Sequence, residues 1–148
     1  MYHKASSRKE YNIMLFAKQT FFHLTIAAFF ALFGAIYELF SHEVYSYFML
    51  YAFAIPLILG ALPCSILTVF GHKKPFLGLL TKRTFFFWNC GVLTLTIGCA
   101  FQGVLEIYGT SSRLIVVYPI AGILLLAAAC CMYVISHWHS RTAKKSLL

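Results

Sequence analysis

Four long apolar runs constrain this chain more than any other feature of its sequence. They cover about residues 21–40, 47–70, 85–108 and 114–136, and a helix needs about 20 such residues to cross a hydrocarbon core of roughly 30 Å. Hydrophobic residues make up 61% of the chain and charged residues 11%, against about 45–50% and 25% in soluble domains. The sequence therefore predicts an all-α integral membrane bundle of four transmembrane helices, forming one domain over residues 1–148.

Basic residues are distributed unevenly between the two ends of these predicted spans. Eleven of the twelve Lys and Arg residues lie in residues 1–20, around the loop between the second and third spans, or in the C-terminal tail, and only Arg113 lies on the other side. Lys and Arg are enriched on the cytoplasmic side of membranes. We therefore expect both termini in the cytoplasm, with residues 1–20 a cytoplasmic or interfacial tail and residues 137–148 a basic tail. This placement favours a cell membrane location, as in small bacterial cytoplasmic-membrane proteins, and argues against nucleic-acid binding.

Residues 33–41 align without a gap on residues 101–109, and both segments contain a glutamate, Glu38 and Glu106. Each segment ends the first helix of a hairpin, which predicts two repeated hairpins related by an axis normal to the membrane. Small residues recur near both segments and predict close helix packing, with the first and third helices facing each other or equivalent partners. These small residues are Ala27, Ala31, Ala35, Gly91, Cys99 and Gly103.

The two glutamates are the strongest candidates for a ligand or ion site. A carboxylate near the hydrocarbon is costly and tends to pair or to mark an ion or substrate path, and the C-terminal end of a helix also disfavours an anion. The alternative is that both reach interfacial water and one pairs with an arginine. The candidate partners are Gln102, Arg113, His42 and Glu43.

Two prolines interrupt the second span. Pro56, Gly60 and Pro63 lie within eight residues, and each proline removes a backbone donor and clashes with the preceding turn. The pattern predicts a kink. Broken helices form substrate sites in some transporters, whereas many membrane prolines only bend a helix.

Three functions remain open from the sequence. No hydrolase motif or glycine-rich phosphate loop is present, which favours a non-enzymatic accessory subunit or small-ligand binder. The alternatives are a small proton- or cation-coupled transporter using Glu38 and Glu106, and a membrane haem or redox protein using His23, His42 or the cysteines. No cofactor is predicted and no metal site is identified. The expected partners are the lipid bilayer and either a second copy or another membrane protein.

Overall fold

The computed structural model describes residues 2–40, 46–70 and 82–145, and within these ranges the chain is almost entirely helical. The first helix is unbroken over 39 residues, so the segment predicted as a tail continues the first span as helix. The elements are α1 (Tyr2–Phe40), α2 (Tyr47–Tyr51), a π-helix (Pro56–Ala61), α3 (Leu62–Phe70), α4 (Lys82–Ile107), a 3-10 helix (Arg113–Val116) and α5 (Val117–Lys145).

Four of the helical stretches are long and apolar enough to cross a membrane, which confirms the four spans predicted from the sequence. They cover Met14–Phe40, Tyr47–Val69, Lys82–Ile107 and Arg113–His139. We call these the first to fourth spans. The hairpin end of the molecule is the end where the first span meets the second and the third meets the fourth, and the opposite end is the terminal end.

The third span is the centre of the packing. It lies along the fourth span and against α2 and the π-helix of the second span, and its side chains also reach the first span. In the most apolar stretch of the third span 33% of the residues are buried, whereas in that of the fourth span only 11% are. The fourth span is therefore peripheral, and among the described residues its main helix neighbour is the third span.

Glycines set the distance between the third and fourth spans. A Cβ at Gly91 would lie 3.1 Å from the Gly122 carbonyl oxygen, and a Cβ at Gly122 would lie 3.2 Å from that of Gly91. The two backbones thus meet directly, as small residues permit in membranes. Leu95 and Leu126 close over this contact, each approaching the glycine of the other helix.

The close helix contact of the first span is not made by the three alanines for which it was predicted. Ala27 is buried, but Ala31 and Ala35 are exposed, and the close approach is made instead at Gly34, whose Cβ would lie 3.1 Å from the Met49 carbonyl oxygen. Gly103 of the third span also meets Met49. The first and third spans therefore share the start of the second span as a partner at this level.

Candidate functional site

Glu106 lies at the hairpin end of the third span and contacts the start of the second. The Ser46 hydroxyl donates a hydrogen bond of 2.7 Å to Oε2 of Glu106, and the Gln102 amide donates to Oε1 over 3.5 Å. Ser46 is also the N-cap of α2, accepting from the Met49 amide over 3.5 Å. The carboxylate is disfavoured by the dipole of its own helix but favoured by that of the antiparallel neighbour, which begins beside it.

The approach of the second span to Glu106 depends on glycine. A Cβ at Gly103 would lie 2.6–2.8 Å from the backbone nitrogen, Cα and Cβ of Met49. Atoms this close would clash, so position 103 has room only for glycine. Met49 is 1% exposed and fills the space between Gly34 and Gly103. The thiol of Cys99 adds a hydrogen bond of 3.2 Å to the carbonyl oxygen of Phe48. The start of the second span is thereby fixed between the first and third.

The structure brings together only part of the predicted charged group. Glu106 contacts Gln102, one of its candidate partners, while Glu38 is half-buried two residues before the end of the first helix. Arg113 is exposed at the start of the 3-10 helix, and among the described residues it forms no ion pair with either glutamate. His42 and Glu43 lie outside the described residues.

The second span departs from α-helical geometry where the prolines were noted. Pro56 is the first residue of the π-helix, Gly60 is buried within it, and Pro63 follows it by two residues. Pro63 has no amide to bond the carbonyl oxygen of Leu59 four residues earlier. The Trp88 indole of the third span donates to that oxygen over 2.9 Å. The irregular segment is thus satisfied by a side chain of its neighbour, as membrane helices require.

A buried histidine crosses the bundle at the same level. His23 is 0% exposed, and its ring lies over Gly60, where a Cβ would come within 2.3 Å of its Cγ and Nδ1 atoms. Its Nε2 lies 3.0 Å from Oδ1 of Asn89, whose amide nitrogen donates to Oε1 of Gln19 over 2.7 Å. The first and third spans are therefore joined by a polar chain of three side chains.

The hydrogen-bond partners of Asn89 indicate one histidine tautomer. Because the Asn89 amide nitrogen faces Gln19, its carbonyl oxygen faces His23, an arrangement that corresponds to a proton on Nε2 of His23. Nδ1 lies toward the π-helix and has no hydrogen-bond partner among the described residues. The packing against Gly60 leaves little space for a ligand at this nitrogen.

Asn89 and Gln19 were not selected in the sequence analysis, and His23 entered only through the redox alternative. A signal was present, since Gln19 and His23 are four residues apart and therefore share one face of a helix. A polar pair on one face at the start of an apolar run is typical of an interhelical hydrogen bond. The partner of that bond could not be read from the sequence, because Asn89 is 66 residues away from His23.

The described residues contain no cluster of three or more His, Cys, Asp or Glu side chains able to hold a metal ion. The five cysteines are all free thiols; Cys64 is buried, whereas Cys130 and Cys131 are exposed. No protein-family model, no curated protein and no solved structure matches the chain.

Proposed function

We propose that this chain is a non-enzymatic, multi-pass subunit of the cell membrane that binds a transmembrane helix of another membrane protein. Both termini lie in the cytoplasm in this proposal, which the excess of Lys and Arg at the terminal end supports. The two hairpins are proposed to be duplicated units, on the alignment of residues 33–41 with 101–109.

The exposed face of the fourth span carries the proposal. Ala127 and Cys131 are exposed and lie four residues apart, so they share one face of α5. Large exposed aliphatic side chains flank them, with Leu124 64% and Ile135 66% exposed. A small-residue notch between large side chains is the shape against which membrane helices pack.

The opposite side of the same helix shows how such a contact is made. Gly122 brings the fourth span against Gly91 of the third, with leucines closing over the glycines. The outward notch at Ala127 and Cys131 repeats that pattern of small residues bordered by aliphatic side chains. Because lipid tails are as apolar as leucine, close backbone packing rather than the hydrophobic effect drives such association.

A photoreactive amino acid at position 127, used in the native membrane, tests the proposal. We expect one discrete adduct with another membrane protein, and we expect Ala127→Trp in a chain labelled at position 124 to reduce its yield. A label at Leu32, an exposed residue of the first span, is the matched control and should give lipid adducts only. An adduct of two copies of this chain, or lipid adducts alone at position 127, would overturn the accessory role.

The orientation is tested separately. The test uses single cysteines in a chain otherwise free of cysteine. Position 42 is predicted outside the cytoplasm and position 74 inside it. A membrane-impermeant maleimide added to intact cells should label position 42 and leave position 74 unlabelled until the cells are lysed. The reverse pattern contradicts the proposed topology.

A small proton- or cation-coupled transporter is the second candidate. Two observations favour it: the hydrogen-bonded position of Glu106 at the start of the second span, and the π-helix further along that span, since π-turns and broken helices recur at functional sites. Flux in proteoliposomes tests it. If Glu38→Gln and Glu106→Gln leave flux and its pH dependence unchanged, the carboxylates do not carry transport.

A further inference from the structure

The first and third spans touch near both ends and separate in between. At the terminal end, Phe16 and Phe85 pack edge to face with ring centroids 5.4 Å apart, and Asn89 bonds to His23. At the hairpin end, Tyr37 and Tyr108 come close to each other and line the same cavity. Between these contacts lies a groove of about 180 Å³. Its lining residues are Phe29, Phe30, Phe33, Ile97, Ala100, Phe101 and Val104.

A second cavity lies nearer the hairpin end of the same two helices. It has a volume of about 310 Å³ and is lined by Tyr37, Phe40, Ile107 and Tyr108. The rings of Phe33 and Tyr37, one from each cavity, are in contact with centroids 5.9 Å apart. The same pair of helices therefore borders an entirely apolar section, followed by a section that carries two phenol hydroxyls.

We propose that this groove binds one acyl chain of a membrane phospholipid, with the ester and headgroup region beside Tyr37 and Tyr108. Apolar lining followed by hydroxyl groups matches the order of groups along a phospholipid, whose tail lies in the hydrocarbon and whose ester lies at the interface. Tyrosine is the residue that favours this depth, because its ring is apolar and its hydroxyl is polar.

The volume of the groove, about 180 Å³, corresponds to part of one acyl chain. A methylene group is close in size to a water molecule, whose share of the liquid is about 30 Å³. The groove therefore accommodates about six methylene groups, a fraction of one acyl chain.

The selectivity of the groove must come from shape and from the tyrosines. Bulk lipid is as apolar as the groove, so transfer of a chain into it gains no hydrophobic free energy. What remains is close contact with the phenylalanine rings and hydrogen bonds at the hydroxyl end. Ala100, which is 7% exposed, keeps the floor of the groove open, and a larger side chain there would fill it.

Native mass spectrometry of the purified chain with added phospholipid tests the proposal. We expect wild-type protein to retain one phospholipid, Ala100→Phe to lose most of it, and Ile66→Phe, at an exposed position of the second span, to retain it. Tyr37→Phe and Tyr108→Phe should each weaken retention about two- to tenfold, the factor for one lost hydrogen bond. Equal retention by Ala100→Phe and wild type overturns the proposal.

Labelling of the wild-type chain gives a second measurement that does not depend on folding of a variant. A phospholipid with a diazirine in its acyl chain is activated in nanodiscs, and the labelled peptides are identified. We expect the label to concentrate on residues 29–33 and 97–104. Labelling of the exposed fourth span at an equal or higher level shows that the lipid does not occupy the groove.

Discussion

The indole of Trp88 donates a hydrogen bond of 2.9 Å to the carbonyl oxygen of Leu59, which is the carbonyl that Pro63 leaves without its usual backbone donor. The third span thereby completes the hydrogen bonding of the second. The structural role of Trp88 therefore depends on a proline 25 positions earlier.

Replacing Trp88 with Phe should lower the free energy of unfolding by about 1–3 kcal/mol, because the Leu59 carbonyl is left unsatisfied in apolar surroundings. Unfolding by SDS titration in mixed micelles measures the change. Phe86→Leu, at a neighbouring side chain that is 65% exposed, is the control and should change little. In a Pro63→Ala background the same change should cost less, since the backbone donor is restored. An equal cost in both backgrounds contradicts this explanation.

Gly60→Ala should destabilise the fold by about 1–3 kcal/mol, the usual cost of overpacking, because the new Cβ would lie 2.3 Å from the His23 ring. Gly34→Ala should cost less, since its nearest contact is 3.1 Å. The same SDS titration compares them. A His23→Ala background should remove most of the Gly60→Ala cost, and persistence of the full cost would place the clash elsewhere.

His23 and Asn89 should be energetically coupled. In a double-mutant cycle of His23→Phe and Asn89→Leu, we expect a coupling of about 0.6 kcal/mol, the average for hydrogen bonds between membrane helices, and no more than about 1.7 kcal/mol, the largest value. The matched control pairs His23→Phe with Thr94→Val, because the Thr94 hydroxyl donates within its own helix, to the Cys90 carbonyl, and has no other bond among the residues that the structure describes. A coupling no larger than that of the control pair would show that the buried contact contributes no net stability.

Ser46→Ala should cost more than Ser112→Ala. Both serines cap helices, Ser46 for the second span and Ser112 for the fourth, and losing a cap costs about 0.5–2 kcal/mol. Only Ser46 also donates to a carboxylate, at 2.7 Å from Glu106. Thermal unfolding in detergent compares the two variants. Equal losses would mean that the Glu106 contact adds nothing to the cap.

The four spans were predictable because length and hydropathy are local properties of the sequence. The packing faces were not, since each span is apolar around its whole circumference and little in the pattern marks a buried side. Choosing the first-span alanines at four-residue spacing therefore missed Gly34, which lies one residue before Ala35 and meets Met49. Gly34 is the contact residue because the two backbones fit together there. This fit depends on the positions of both helices, which the sequence alone does not give.

The candidate site, too, was predicted only in part from the sequence. Pro56 and Pro63 indicated where the second span departs from a regular helix, and the structure has a π-helix beginning at Pro56. The convergence of Gln19, His23 and Asn89 at this level was not predicted, because a polar chain between spans depends on the rotation of each helix. The partner of Glu106 was not predicted either, because Ser46 reaches it only through the capping geometry of another helix.

The hydrogen bond between His23 and Asn89 also has a consequence for biosynthesis. The two residues are 66 positions apart, and at about 5–20 residues per second the ribosome needs roughly 3–13 s to add Asn89 after His23. During that interval the first two spans can form a hairpin, but Gln19 and His23 lack the partner that they bond in the finished protein. The nascent chain completes its polar contacts only when the third span enters the membrane, so a product truncated after the first hairpin would expose them to lipid and to quality-control proteases.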